Sequence, residues 1–130
     1  MIKSLEDLKV WQKARGFNKK IYDLTSTFPS IERTNLTIQL RRASSSVCAN
    51  IAEGFGRYHF QESMQFYRTA RGSLSEIKSH LLLSLDQGYL TKSELDKLFL
   101  NIDEIAKMLN GLIGKTKLYR SKNNLLSSSN

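Results

Sequence analysis

Apolar residues recur at alternating gaps of three and four along most of this chain, which places side chains on one face of an α-helix rather than of a strand. Four such stripes follow one another, and they predict four helices. The stripes are Val10, Ala14, Phe17, Ile21, Leu24 and Phe28; Leu36, Leu40, Ala43, Val47 and Ile51; Phe60, Met64, Tyr67, Ala70, Leu74, Ile77, Leu81 and Leu85; and Leu95, Leu98, Ile102, Ile105, Leu109 and Leu112.

Helix-capping signals mark where these helices begin. Ser4 with Asp7, and Thr91 with Glu94, have the spacing of a capping box. In this motif the side chain of each residue accepts a hydrogen bond from the backbone N–H of the other. They predict the starts of the first and fourth helices. Pro29 predicts the end of the first helix, because the residue before a proline resists the helical conformation.

Glycines mark the remaining boundaries. Gly54 and Gly56 predict the turn after the second helix, and Gly88 has the position of a glycine just past the end of the third. The predicted helices are 5–27, 32–54, 60–87 and 92–119. Short connections favour antiparallel neighbours, so we expect an all-α, up-down-up-down antiparallel four-helix bundle over residues 1–119. The basic, serine-rich tail at 120–130 has no packable stripe and is expected to be disordered.

Composition is consistent with one domain in a reducing compartment. The chain has 130 residues and is 40% hydrophobic, enough for a single packed core. Its one cysteine, Cys48, excludes an internal disulfide. No apolar run approaches the length of a membrane span, and the N-terminus is too charged for a signal peptide. We therefore expect a cytoplasmic protein without a membrane partner.

The net charge of +8 is unevenly distributed. Residues 1–58 carry ten Lys or Arg against five Asp or Glu, and residues 115–130 carry four against none. In an up-down-up-down bundle both termini and the turn between the second and third helices lie at one end, so this end should be basic. Such a surface favours anionic partners, above all nucleic acid, although a high isoelectric point alone does not establish binding.

The segment 39–54 combines an arginine pair with small residues, and it allows several interpretations. It lacks the glycine and lysine pattern of a phosphate-binding loop, and its match to a kinase motif falls inside a predicted helix. Close helix packing is the favoured interpretation, with the small residues facing Gly72 and Ser73 on the third helix. Asn50 and Glu53 are predicted to have structural roles, bonded to neighbours such as Gln65 or Arg68.

No catalytic or metal site is predicted, and no cofactor. His59 and His80 are the only histidines, and neither belongs to a repeated Glu-x-x-His motif or follows an arginine at the spacing of HEPN-type bundle ribonucleases. Cys48 lies among packing residues, where a thiol is more often inert than nucleophilic. We therefore expect a protein that is not an enzyme.

Several separated motifs occur in an order that resembles one known family. They are Leu8-Lys-Val-Trp-Gln12, Ile21-Tyr-Asp-Leu-Thr25, Gln39-Leu-Arg-Arg-Ala43, Asn50-Ile-Ala-Glu-Gly54, Ala70-Arg-Gly-Ser-Leu74, Gly88-Tyr-Leu90 and Met108-Leu-Asn-Gly-Leu112. Over about residues 5–117 the chain resembles the four-helix-bundle proteins of 23S rRNA intervening sequences. The resemblance implies a bacterial protein, a homopentameric ring, and no established enzymatic activity. The family is also similar to the accessory variability protein of diversity-generating retroelements, a basic pentamer that works with a reverse transcriptase.

The leading functional expectation is an oligomer that contacts nucleic-acid phosphates without reading base sequence. Apolar residues outside the stripes, Phe66, Leu83 and Leu100, predict an oligomer interface. The expected phosphate-binding residues are Arg41, Arg42, Arg57, Lys115, Lys117, Arg120 and Lys122. The alternative is a scaffold that docks a partner protein, such as a polymerase, and does not bind nucleic acid physiologically.

Overall fold

The computed structural model describes residues 4–57 and 59–128, the side chains of residues 120 and 126–128 excepted. Those residues form four α-helices and no strand, which confirms the all-α prediction. The helices are α1 (Lys9–Thr25), α2 (Leu36–Phe55), α3 (Phe60–Asp86) and α4 (Lys92–Ser128), with short 3-10 helices at Leu5–Asp7 and Ser30–Thr34. Each helix packs on the next, and α4 returns to α1, so the four enclose one core.

Contacts between the helices run in opposite directions along each neighbouring pair. Between α3 and α4, Arg71 Nη1 donates to Asn110 Oδ1 at 2.8 Å, and Lys78 Nζ lies 2.6 Å from Asp103 Oδ1. The later residue of α3 therefore meets the earlier residue of α4, as antiparallel packing requires. Among the described residues no helix has a stretch both long and apolar enough to span a membrane.

The predicted stripes form the core. Most of their members are buried, and Leu24, Leu85 and Leu112 pack against the edge of the core. The partly exposed members are Leu24, Phe60, Leu85 and Leu112. Burial of these apolar faces is the main stabilising contribution to a bundle of this size.

The first two α-helices start later than the sequence predicted. Asp7 accepts a hydrogen bond of 3.2 Å from the backbone N–H of Ser4, as in a capping box, and a further one of 3.2 Å from the Ser4 hydroxyl, but the turn that the box caps is a 3-10 helix. Leu8 is extended, and α1 begins at Lys9. Before α2, Asn35 adopts φ −132° and ψ −105°, which interrupts the helical path and leaves residues 30–34 as a 3-10 turn.

The connection between α3 and α4 follows the prediction closely. Gly88 has φ +78°, its N–H donates to Leu85 at 2.9 Å, and the N–H of Tyr89 donates to Ser84 at 3.0 Å. These two bonds make a Schellman motif, which satisfies carbonyls that the helix end leaves free. The next helix starts with the predicted capping box.

In that box, the Thr91 N–H donates to Glu94 Oε1 at 2.9 Å and the Glu94 N–H donates to Thr91 Oγ1 at 3.1 Å. The hydrogen bond from the Thr91 backbone is the main reason that the pKa of Glu94 lies below its usual value. The carboxylate form is therefore the one that caps α4.

The end of α4 differs from the prediction. The sequence predicted a fourth helix ending near 119 and a disordered tail at 120–130, whereas α4 continues through Ser128; residues 129 and 130 lie outside the described part. No glycine or proline follows Gly114, so nothing in the backbone stops the helix. Residues 117–119 and 121–125 are exposed. This explains why the sequence has no apolar stripe there to indicate a helix.

Small residues do pack between α2 and α3, but at only some of the predicted positions. The hydroxyls of Ser46 and Ser73 are 3.1 Å apart. Gly54 is the close approach, since a Cβ there would lie 2.8 Å from Cδ1 of the Tyr67 ring. The contact predicted for Gly72 is wrong: this residue is exposed, and a Cβ there would meet nothing within 4 Å.

Asn50 and Glu53 bond within α2 rather than across to α3. Asn50 Nδ2 donates to the Ser46 carbonyl at 2.8 Å and to its hydroxyl at 3.0 Å, so it supports the Ser46–Ser73 contact. Glu53 is exposed and pairs with Arg57 one turn later. The expected bonds to Gln65 and Arg68 are absent among the described residues. Helix geometry explains this, because residues four apart are the nearest surface neighbours.

Candidate nucleic-acid interface

The antiparallel order brings the starts of α1 and α3 to the same end of the bundle as the ends of α2 and α4. We call this the basic end. Its described cations are Lys9, Arg57, Arg68, Lys115, Lys117 and Lys122. Lys3 and the side chain of Arg120, a predicted phosphate-binding residue, lie outside the described part of the chain.

Lys115 lies on the side of α4 that faces α1. With Lys9 it borders an open, largely apolar pocket of about 400 Å³ between the two helices, beside Leu8 and Met108. Asp7 lines the same pocket and is its one acidic neighbour among the described lining residues. Both lysine side chains are exposed, so their charges face solvent at the rim.

Lys117 lies on the opposite side of α4, toward α3. It borders a second pocket of about 400 Å³ together with Arg68, Gln61 and Asn124. None of the described residues that line this pocket is acidic, and no ion pair to Lys117 or Arg68 occurs in the described part of the chain. The two lysines thus place positive charge on both flanks of α4, and Lys122 extends it by one further turn.

Arg57 contributes less free charge than its position suggests. Its Nη2 lies 2.5 Å from Glu53 Oε2, and its guanidinium stacks over the Phe66 ring at 4.9 Å. The pair is largely exposed, so the bond is weak in stability terms, but it offsets the charge locally. Phe66, which the sequence assigned to an oligomer interface, is therefore partly covered by this arginine.

Arg41 and Arg42 do not belong to the basic end. Arg41 lies fourteen residues before Phe55, the last residue of α2, a separation of about 21 Å along the helix axis, and Arg57 follows just beyond that end. Arg41 instead contacts the end of α1: Nε donates to Thr25 Oγ1 at 2.9 Å, and the guanidinium lies 4.5 Å from the Tyr22 ring centre. Arg42 is exposed and has no hydrogen bond or ion pair among the described residues. The predicted phosphate-binding residues therefore divide between two distant surfaces.

The described residues contain no group of three or more His, Cys, Asp or Glu side chains placed to hold a metal ion. Cys48 is half-buried, and this burial raises the pKa of its thiol, which keeps it protonated and poorly nucleophilic at neutral pH. His80 Nε2 lies 3.5 Å from Glu76 Oε1, without hydrogen-bond geometry, and neither ring nitrogen has a hydrogen-bond partner in the described part of the chain.

Sequence reasoning missed a polar cluster at the end opposite to the basic end. Glu32, which is buried, accepts a hydrogen bond of 2.9 Å from the Tyr89 hydroxyl and one of 3.3 Å from Asn35 Nδ2. The Tyr89 ring also packs on Phe28 with 5.0 Å between centres. The hydrogen bond from the Tyr89 hydroxyl to the Glu32 carboxylate is the main cause of the raised pKa of Tyr89. Two loops far apart in sequence form the cluster, so no local pattern marks it.

Comparison with known proteins identifies the family of this four-helix bundle. The family model described as 23S rRNA-intervening sequence protein matches residues 6–111, well over half of the chain. The chain belongs to the 23S rRNA-intervening sequence protein family. The family match covers α1, α2, α3 and the first part of α4 but ends at 111, so Lys115, Lys117, Arg120 and Lys122 lie beyond it.

A solved structure supports the family's fold for this chain. It is a protein of unknown function from the S23 ribosomal protein family of Bacteroides thetaiotaomicron, with a TM-score of 0.74 and 22% sequence identity. The match covers 80% of this chain and 97% of that one. At this identity the likeness concerns the fold alone. A comparison with curated protein sequences gave no match.

Proposed function

We propose that this member of the 23S rRNA-intervening sequence protein family is a non-enzymatic oligomer that associates with nucleic acid through its phosphate groups. The last turns of α4 carry the proposal. Lys115, Lys117 and Lys122 are exposed there, and no acidic residue follows Glu104 in the sequence. A single helical segment thus presents positive charge on two flanks, with Lys9 and Arg68 beside it and Asp7 as the one acidic residue among the described lining of the two pockets.

Lysines on a helix surface suit contacts to a phosphate backbone. Each ammonium group is a mobile point charge that meets phosphate oxygens without reading base edges. The part of the chain that the structure describes offers no recognition helix with a row of base-reading side chains, so affinity should differ little between unrelated sequences. Binding of this kind weakens steeply with salt, because each phosphate neutralised releases condensed counterions.

Oligomerisation would raise the affinity of such weak contacts by avidity. Leu83 and Leu100 are exposed apolar side chains, with 49% and 70% of their surface accessible, and they support an interface between copies. The family resemblance implies a homopentamer. In a ring, each copy of α4 would add its lysines to one charged surface.

A partner-protein scaffold is the second candidate, and exposed apolar residues within the basic segment favour it. Leu118 and Tyr119 are 56% and 60% exposed on the same turns of α4 as the lysines. A partner with an acidic, apolar surface would fit them. If this candidate is right, Leu118→Ser would abolish capture of a defined partner while leaving the weak binding of nucleic acid unchanged.

Fluorescence anisotropy with labelled RNA and duplex DNA tests the leading proposal. The variant Lys115→Gln, Lys117→Gln, Lys122→Gln is compared with Lys19→Gln, Arg42→Gln, Lys97→Gln, which removes three charges at the other end. We expect the first variant to lose at least tenfold in affinity near physiological salt and the second to lose less than threefold. Equal losses would make binding a matter of net charge alone, and no measurable binding by the unaltered protein would overturn the proposal.

A further inference from the structure

A further pocket, of about 520 Å³, lies at the end of the bundle opposite to the basic end. The last turn of α1, the 3-10 helix Ser30–Thr34 and the first turns of α2 enclose it, and we call it the α1–α2 pocket. Its size falls within the usual range of small-molecule sites. Its polar lining consists of Thr25, Ser26, Ser30, Arg33, Thr37 and Arg41.

Arg41 is held in place at one wall of this pocket. Nε donates to the buried Thr25 hydroxyl at 2.9 Å, and that hydroxyl donates in turn to the Ile21 carbonyl at 2.7 Å. The guanidinium stacks on Tyr22 at 4.5 Å. A guanidinium fixed in this way loses little further freedom when it binds an anion, so its remaining N–H donors are preorganised.

Arg33 supplies a second positive charge, and no carboxylate offsets it. It is exposed and forms no ion pair with a described residue. The acidic residues nearby in the sequence are engaged elsewhere: Glu32 accepts from Tyr89 and Asn35, and Asp23 lies 3.4 Å from Lys19 Nζ. The pocket therefore carries two guanidinium groups and no acidic lining residue.

Thr37 offers the pocket a hydroxyl. Only 7% of the residue is exposed, its hydroxyl has no hydrogen-bond partner among the described residues, and it lines the pocket. The donor and acceptor capacity of this hydroxyl therefore remains open to a bound group. At the same place the N-cap residue Asn35 makes no capping bond to α2, so the positive end of that helix dipole also remains uncapped.

Two guanidinium groups, unpaired hydroxyls and a helix N-terminus together match the donors that bind phosphate. We propose that the α1–α2 pocket binds a phosphate oxyanion, either free phosphate or the phosphate group of a small monoester. Arg33 and Arg41 supply the charge, and Thr37 and Ser30 supply hydroxyl donors. The pocket exceeds what one phosphate occupies, so it has room for a small organic group against Phe28 and Ile38.

This inference is independent of nucleic-acid association, since the two sites lie at opposite ends of the bundle. Amide chemical shifts of isotope-labelled, full-length protein test it, with inorganic phosphate and glycerol 3-phosphate as ligands. Glycerol and sodium chloride at matched ionic strength are the controls. We expect saturable shifts at residues 25–26, 30–33 and 37–38 with both phosphates and with neither control. Tighter binding of glycerol 3-phosphate identifies a monoester site, and equal binding identifies a site for free phosphate.

Three single variants assign the site. The Arg33 side chain forms no hydrogen bond or ion pair with a described residue, so the variant Arg33→Gln should fold normally. It should bind either phosphate about tenfold more weakly than the unaltered protein. Thr37→Val keeps the side-chain shape and should also weaken binding. Arg42→Gln, an exposed charge outside the pocket, should stay within twofold of the unaltered protein.

Shifts that grow linearly and equal those with sodium chloride would overturn the inference, as would unchanged binding by Arg33→Gln. The triple lysine variant of α4 should bind phosphate normally at residues 25–38. Phosphate shifts confined to the turns around Lys115 would instead assign all anion binding to the basic end and contradict a separate site.

Discussion

The Tyr89 hydroxyl donates a hydrogen bond of 2.9 Å to the buried carboxylate of Glu32. This bond ties the connection between α3 and α4 to the connection between α1 and α2, at the end of the bundle that carries the α1–α2 pocket. Glu32 is not among the lining residues of that pocket. The bond therefore joins the two connections at this end of the bundle.

Replacing Tyr89 with Phe should lower the melting temperature by several degrees, because Glu32 keeps only the bond from Asn35. The hydrogen bond from Tyr89 to the carboxylate raises the pKa of Tyr89 in the folded protein. Its stabilising effect is therefore fully present below the usual tyrosine pKa of about 10 and is lost as the pH rises through the raised value. The difference in melting temperature between the unaltered protein and Tyr89→Phe should be constant from pH 7 to about 9.5, and it should become smaller above that pH. A gap that widens at high pH would contradict this account.

Gly54→Ala and Gly72→Ala should change stability in opposite directions. A Cβ at Gly54 collides with the Tyr67 ring, so we expect a loss of about 1–3 kcal/mol in the free energy of unfolding. A Cβ at Gly72 meets nothing, and alanine favours the helix, so we expect a gain of up to about 1 kcal/mol. Urea unfolding measures both. If Gly72→Ala lowered the free energy of unfolding as much as Gly54→Ala, another surface would have to cover α3 at Gly72.

The capping box of α4 should give a pH-dependent contribution. The pKa of Glu94 is lowered by its hydrogen bonds from Thr91, so the stabilisation is present above the usual glutamate pKa and is lost as the pH falls through the lowered value. Glu94→Gln should therefore be less stable than the unaltered protein at pH 7, and the difference should disappear toward pH 3. Glu62→Gln, also in the first turn of a helix but without a capping bond in the described structure, is the matched control. A difference that persists at pH 3 would argue against the capping bond as its source.

Helix periodicity predicted most of the core, because buried positions such as Ile21, Leu40 or Ile105 follow from spacing alone. The buried residues Leu8, Leu90 and Ile113 lie outside the predicted stripes. Capping signals predicted the turn around Gly88 and Thr91, because the residues that bond to each other there are close together in the sequence. Properties that depend on distant partners were not accessible in this way. Gly72 and Gly54 are both glycines in helices, and only the position of the Tyr67 ring distinguishes them.

The candidate sites show the same limit. The charge distribution predicted the basic end, because topology alone brings the termini together. Arg41 and Arg42 were predicted, from their place on the second helix, as additional phosphate-binding residues, and α2 holds Arg41 about 21 Å from its end at the basic end. The α1–α2 pocket draws its lining from residues 25–41, and its unpaired Thr37 hydroxyl becomes visible only when the burial of that side chain is known.

The salt dependence of nucleic-acid binding tests the central claim most directly. For the unaltered protein on duplex DNA, the logarithm of the association constant should fall linearly with the logarithm of salt concentration. The variant Lys115→Gln, Lys117→Gln, Lys122→Gln should reduce the steepness of that line by about 0.9 for each phosphate that the protein no longer neutralises. The control variant Lys19→Gln, Arg42→Gln, Lys97→Gln should keep the original slope. Equal slopes for all three proteins would contradict the account, because the end of α4 would then bind no phosphates.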